Sequence, residues 1–143
     1  MTNYLVSARR KLEDKIFNIW LAGFWEGEGS VSKFKNKNCY RITLAQTIKE
    51  DREVELCFKM IKEKFGGNYY KIKPTPKNKQ SNTLLRYHLD QRDDVINFIK
   101  TIYPYCQFRK NEIENAFKYF ELHPRKRDNF HSKTKNQQTL KVP

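Results

Sequence analysis

Trp20-Leu21-Ala22-Gly23-Phe24-Trp25-Glu26-Gly27-Glu28-Gly29-Ser30-Val31 is the stretch on which the reading of this chain turns. Leu21, Ala22, Gly23, Phe24 and Trp25 suit a buried helix, and Gly27 or Gly29 is where such a helix would stop. Glu26 and Glu28 then fall at a helix C-terminus. The macrodipole is already negative there, so two carboxylates need a compensating cation, either a metal ion or a basic side chain. A conflict of this kind between a local rule and the sequence marks a candidate site.

The order of the letters adds to this. LAGFWEGEG, residues 21–29, is similar to the nine-residue LAGLIDADG signature of the homing endonucleases. It matches at Leu21, Ala22, Gly23 and Gly29, with Gly27 where the signature has the other small residue, alanine, an aromatic at Phe24 and acids at both acidic positions, Glu26 and Glu28. A helix C-cap with two solvated glutamates would use the same residue types, but nine ordered positions are far more specific than a lone glycine motif. The resemblance implies a DNA-cleaving enzyme.

Composition points the same way without deciding it. A chain of 143 residues suits one domain, with a formal charge of +13 from 29 Lys and Arg against 16 Asp and Glu. That charge, with a pI near 9.7, calls for a polyanionic partner, because neutralised phosphates release counterions. A basic ribosomal protein would share the balance but not LAGFWEGEG. Cys39, Cys57 and Cys106 are odd in number, widely spaced and without nearby histidines, which indicates neither a disulfide framework nor a zinc site and suggests an intracellular, reduced protein. His88, His123 and His131 form no histidine-metal cluster in the sequence. No apolar run approaches the roughly 18 to 20 residues of a membrane span, and the start of the chain lacks a secretory core. Ser7, Arg9 and Arg10 faintly suggest a transit peptide, but Leu12, Ile16, Ile19, Trp20 and Gly23 already follow helical spacing into the motif. Lysine outnumbers arginine and asparagine is common, an association with A·T-rich genes such as organellar introns; a mitochondrion, a chloroplast or the cytoplasm of a microbe would each fit.

In chain order, a first helix is expected over residues 7–27. Two strands follow at 30–35 and 40–46 around the turn-forming Asn36-Lys37-Asn38. Ile42 and Leu44 alternate with Arg41, Thr43 and Ala45 in the second, whereas Val31 and Phe34 break period two in the first, by a bulge or a shifted register. A second helix covers 50–65, with Val54, Cys57, Phe58, Ile61 and Phe65 on one face and Gly66-Gly67 as its stop. Strand three is expected at 69–73, with Lys71 and Lys73 opposite in parity to Tyr70 and Ile72. Pro74 and Pro76 then open a polar loop, and strand four spans 83–89, with Leu85, Tyr87 and Leu89 against Arg86 and His88. A third helix takes 93–103, punctuated by Pro104, and a last one 110–122. The apolar period ends at His123. Residues 1–122 thus form one domain, and 123–143 a basic, flexible tail.

The order αββαββα, followed by a short helix, is α+β and similar to the homing-endonuclease core: a curved antiparallel four-stranded sheet with helices on one face. The signature occurs once. In the family, single-signature members pair to supply the second acid, so the resemblance implies a homodimer acting on a palindromic or pseudo-palindromic double-stranded DNA target. Ala22 and Gly23 are the residues expected to let the two copies of the helix approach. The resemblance makes Glu28 the metal ligand, with the backbone carbonyl of Gly27 beside it, and gives Glu26 a structural place at the helix end. Mg²⁺ suits such hard oxygen donors, and Mn²⁺ or Ca²⁺ could substitute for binding. Gln46 resembles the family's water-ordering polar residue. Arg109 aligns where the family usually has lysine; it stays protonated, so it could stabilise charge or order water but not act as a base, and Lys110 is the alternative if the register slips by one.

Recognition falls to the polar face of the sheet, which could follow the major groove. Parity predicts Lys71, Lys73, Arg86 and His88 on matching faces, with Arg41 and Thr43 on strand two and Ser32, Asn36 and Asn38 as additions. The loop residues Lys77 and Lys79 suit phosphate contacts. The rival expectation is a non-cleaving nucleic-acid-binding protein of the same fold, either a maturase acting on intron RNA or a transcription factor. Acids at both signature positions favour the nuclease.

Overall fold

The computed structural model describes residues 3–33, 39–48, 52–75 and 82–124. The expected Asn36, Asn38, Lys77 and Lys79, and the tail from 125 onward, lie outside the described residues.

Among the described residues, four helices and four strands succeed one another as α1 (Asn3–Glu28), β1 (Gly29–Lys33), β2 (Tyr40–Ile48), α2 (Arg52–Phe65), β3 (Asn68–Ile72), β4 (Thr83–Leu89), α3 (Arg92–Ile102), a 3-10 turn (Tyr103–Tyr105) and α4 (Lys110–Leu122). The strands form one antiparallel sheet in the order β1-β2-β4-β3. This is the α+β architecture expected from the sequence.

The core lies on one side of the sheet. Ile42 pairs with Leu89 and Leu44 with Tyr87, and all four are fully buried together with Leu85 beside them. Directly opposed residues of an antiparallel pair share a face, so the other parity of each strand forms the open face. Onto the buried face pack Leu21, Ala22 and Trp25 of α1, Phe58 and Ile61 of α2, Val95, Phe98 and Ile99 of α3, and Ile113, Ala116 and Phe120 of α4. β1 keeps an unbroken register against β2, from Gly29 opposite Leu44 to Lys33 opposite Tyr40, so Val31 lies on the core side without a bulge. The break in period two expected at Phe34 falls outside the described residues.

Glycine shapes two junctions. Gly66 and Gly67, at φ +91° and +80°, end α2 in the left-handed region that favours glycine. At the other junction α1 passes directly into β1 with no loop between Glu28 and Gly29. A Cβ on Gly29 would stand 2.5 Å from Trp25 Cδ1 and 2.9 Å from Leu44 Cδ2, so only glycine lets the strand start so close to the helix.

Candidate active site at the end of the first helix

α1 ends without a basic residue in its last turn, yet its negative end is compensated. The cation comes from 83 residues further on. Arg109, the N-cap residue of α4, donates from Nη1 to the carbonyls of Trp25 (3.1 Å), Glu26 (3.2 Å) and Gly29 (2.8 Å). Its remaining edge is a fork onto Glu112: Nε donates to Oε2 and Nη2 to Oε1. Its guanidinium also lies 4.3 Å above the Trp25 ring. Hydrogen bonding to Glu112 holds Arg109 above its ordinary pKa against the opposing effect of burial, and the same bonding brings Glu112 below the usual carboxylate value.

The two glutamates of the motif part company here. Glu26 is only 7 % exposed, and its carboxylate accepts from the backbone N–H groups of Gln107, Phe108 and Arg109 at 2.8 to 3.0 Å. Three successive amides ahead of a helix form an anion-binding nest, here filled by the chain's own side chain. Burial is the largest single influence on Glu26 and works against its charge. The three amides and Arg109 outweigh it and bring its pKa below the ordinary value. Glu26 is thus the structural partner expected, and it ties the start of α4 to the end of α1. Glu28, the last residue of α1, is exposed.

Gly23, Gly27 and Glu28 are exposed, and nothing lies within 4 Å of a Cβ built on either glycine. Ala22 differs from expectation. It is fully buried in the chain's own core, because a helical step of 100° from Gly23 turns it inward beside Leu21 and Trp25. The open small residues on α1 are therefore Gly23 and Gly27, four apart on one face.

Gln46 follows Leu44, the partner of Gly29, by two residues on the same side of β2, which sets it on the helix side of the sheet toward the end of α1. It is half-buried, and its Nε2 donates weakly to the carbonyl of Thr47 at 3.4 Å. Arg109 reaches the motif as expected, but its hydrogen bonds run to backbone carbonyls and Glu112. That geometry makes it a clamp on the helix end. Lys110 lies with Nζ 5.2 Å over the ring of Tyr103. Sequence reasoning missed Glu112, although Arg109 and Glu112 occupy the N-cap and N3 positions of α4, where a glutamate is a known signal.

The open face of the sheet collects a second group. Ser30, Thr43, His88 and Asn68 form one row across the four strands, and Ala45, Arg86 and Tyr70 form another, with Ser32 opposite Arg41. Arg41 donates from Nε and Nη2 to the carboxylate of Asp90. Tyr70 meets His88 edge-on, with ring centroids 5.5 Å apart. Burial first, then the charge of Arg41 and less so that of Arg86, push His88 below its ordinary pKa against the opposing charge of Asp90. Two expected members do not belong to this face. Lys71 pairs in register with Leu85 on the helix side and makes an ion pair with Glu55 of α2 at 3.3 Å. Lys73 is exposed beyond the end of β3. Asn68, Tyr70 and Ile72 are the β3 residues on the open face, the first two polar, and Ser30 joins them from β1.

No protein-family model matches this sequence, and no curated protein matches it significantly. Three-dimensional comparison does find relatives of the fold. One is the homing endonuclease I-CvuI in complex with its target in the presence of Ca, with a TM-score of 0.58 and 13 % identity over 82 % of this chain and 73 % of that one. This is the homing-endonuclease fold. A second I-CvuI structure, with the I-CreI target and Mg and with its DNA not cleaved, matches with a TM-score of 0.52 and 13 % identity over 77 % of this chain and 69 % of that one. In the homing-endonuclease fold of this chain, the stretch that resembles the family signature is the helix end described above. Among the described residues no three His, Cys, Asp or Glu side chains gather as a metal cluster, and no helix is long and apolar enough to cross a membrane.

Proposed function

We propose that this chain is a site-specific, double-stranded DNA homing endonuclease that acts as a homodimer with a divalent metal. The observation that carries the reading is the exposed Glu28 beside the open Gly23 and Gly27, on a helix whose end is clamped by Arg109 and Glu26. Glu28 and the Gly27 carbonyl are hard oxygen donors, which fit Mg²⁺ and equally Mn²⁺ or Ca²⁺, and one chain offers half of such a donor set. A second copy with its own Gly23 and Gly27 against the first would bring the other Glu28 alongside. When bound, a divalent ion would supply a water nucleophile and neutralise charge on the phosphodiester. The chain's own residues would do the rest. Arg109 and the three amides that hold Glu26 fix the helix end, so Glu28 is presented by a rigid support. Gln46, close along the sheet, would orient water. The open face would read bases in the major groove through Arg86, His88, Thr43, Ser30, Ser32, Asn68 and Tyr70, with Arg41 held in place by Asp90. The I-CvuI structures, both bound to DNA, support that use of the sheet.

A second reading is a non-cleaving DNA- or intron-RNA-binding protein. The inward commitment of Arg109, which leaves the helix end without an outward-turned guanidinium, favours it.

Selection from a randomised duplex library with Mg²⁺ separates the two. The nuclease reading expects wild type to bind and cut a two-fold symmetric site, and Glu28→Gln to bind that site without cutting. Binding without cutting by wild type supports the second reading, and equal cutting by Glu28→Gln removes Glu28 from the site. On the selected site, Arg86→Ala should relax base preference locally by about 1 to 3 kcal/mol, whereas Lys71→Ala should leave base preference unchanged because Lys71 faces α2.

A further inference from the structure

We infer that residues 5–19 of α1 form a dimerisation arm whose partner is the same arm of a second copy of this chain, continuing the Gly23 and Gly27 seam away from Glu28. The inference rests on the homodimer reading above and extends it to a segment outside the motif.

Residues 5–16 are all exposed, so none of the other described residues covers this half of α1. Isolated helical segments of this length are marginal in water, and an apolar face is what usually stabilises them by packing. Such a face is present. Leu5, Leu12 and Ile19 stand seven apart, with Ile16 and Gly23 four residues after Leu12 and Ile19, so the row advances in alternating steps of four and three. Leu12 and Ile16 are each 58 % exposed, and Leu5, Ile19 and Trp20 are exposed with them. A seven-residue repeat is the spacing of a helix that winds on another helix, because the mean step of 3.5 residues keeps one row facing a partner.

The row is narrow. Arg10, Lys11, Glu13, Asp14 and Lys15 surround Leu12 and Ile16, and Arg9 pairs with Glu13 along the helix at 3.3 Å. A membrane surface asks for a broad apolar face rather than a single seam between charges of both signs. The row also turns away from the chain's own neighbour: Asp14 and Phe17, on another side of α1, line a cleft of about 390 Å³ with Met60, Glu63 and Lys64 of α2.

Continuity decides the occupant. α1 is unbroken from Asn3 to Glu28, roughly 39 Å at 1.5 Å per residue. A two-fold contact at Gly23 and Gly27 therefore carries Ile19, Ile16 and Leu12 of two chains toward one another. The heptad spacing suits the shallow crossing, about +20°, at which they remain in contact along the arm.

Sedimentation of the full chain without DNA tests this. Wild type should be a dimer, and Leu12→Lys with Ile16→Lys should weaken its dissociation constant by about 100-fold, since like charges replace two apolar pairs. Both positions lie outside the core, so the thermal midpoint of the monomer serves as the folding control. A double variant that dimerises like wild type overturns the arm while leaving the homodimer standing. A wild type that is monomeric throughout overturns the homodimer reading itself. Sedimentation with anionic phospholipid vesicles adds the remaining outcome: a monomeric wild type that pellets, with a double variant that does not, assigns the row to a lipid surface and overturns the proposal. As a second variant, Leu12→Cys in a chain with Cys39→Ser and Cys57→Ser should form a 12-to-12 disulfide on oxidation, and failure of the dimer to cross-link overturns the parallel arrangement.

Discussion

Along α1, Leu21, Ala22, Trp25 and Glu26 turn into the chain's own core, whereas Ile16, Ile19, Trp20, Gly23, Gly27 and Glu28 turn out. The two faces alternate within nine residues and use the same residue types, small residues and glutamates, for different ends. Facing inward, an acid is saturated by three amides and a small residue is packed on every side. Facing outward, the acid is exposed and the small residues leave room for another backbone. The motif is thus two motifs on one helix: one anchors the end of α1, and the other, in the reading proposed above, is offered to a partner and to DNA.

The sharpest way to break that division is Glu26→Ala. It strands the amides of Gln107, Phe108 and Arg109, and at about 1 kcal/mol for each unpaired buried donor it should cost about 3 kcal/mol of unfolding free energy in urea. Glu28→Ala, on the outer face, should cost no stability by the same measurement. A smaller effect comes from two glycines two residues apart. Gly29→Ala meets Trp25 and Leu44 and should lose about 2 kcal/mol, while Gly27→Ala, open and helical, should raise monomer stability by up to about 1 kcal/mol. Equal effects at both positions would erase the distinction between the faces. The smallest effect is on acid stability. Glu26 has a folded pKa below its ordinary 4.5, so the stability it contributes is present above pH 4.5 and is lost as pH falls through the folded value. Glu112 titrates in the same direction. The stability gap between wild type and Glu26→Gln should therefore shrink below pH 4.5 in equilibrium denaturation, and a gap that stays constant into acid would mean Glu26 is not held as a carboxylate.

Periodicity made the elements legible. β4 and α4 fall on the bounds expected from alternation and from the Ile113, Ala116, Phe117 and Phe120 stripe, and Gly66 and Gly67 end α2 where expected. Directions were harder. In Asn68-Tyr69-Tyr70-Lys71-Ile72 two adjacent tyrosines suit either face, so the side of Lys71 is fixed only by its pairing with Leu85 and by Glu55 on another helix. Ala22 and Gly23 look alike in sequence as small residues; the rows they join, Leu21 and Trp25 or Ile16, Ile19 and Gly27, decide which one faces out. The destination of Arg109 was beyond local reading, because its acceptors lie about 80 residues earlier in the chain. The two acids of the motif were ranked from the sequence by resemblance alone, and burial supplies the physical reason for Glu26.

The central claim is that one chain carries half a site and a second copy brings the other half. Wild-type and Glu28→Gln chains, co-expressed with different tags and purified through both, give mixed dimers for a plasmid bearing the selected target. The account predicts that wild type linearises the plasmid, Glu28→Gln alone leaves it intact, and the mixed dimer accumulates nicked circles. Linear product from Glu28→Gln alone, or from the mixed dimer without a nicked species, would contradict it.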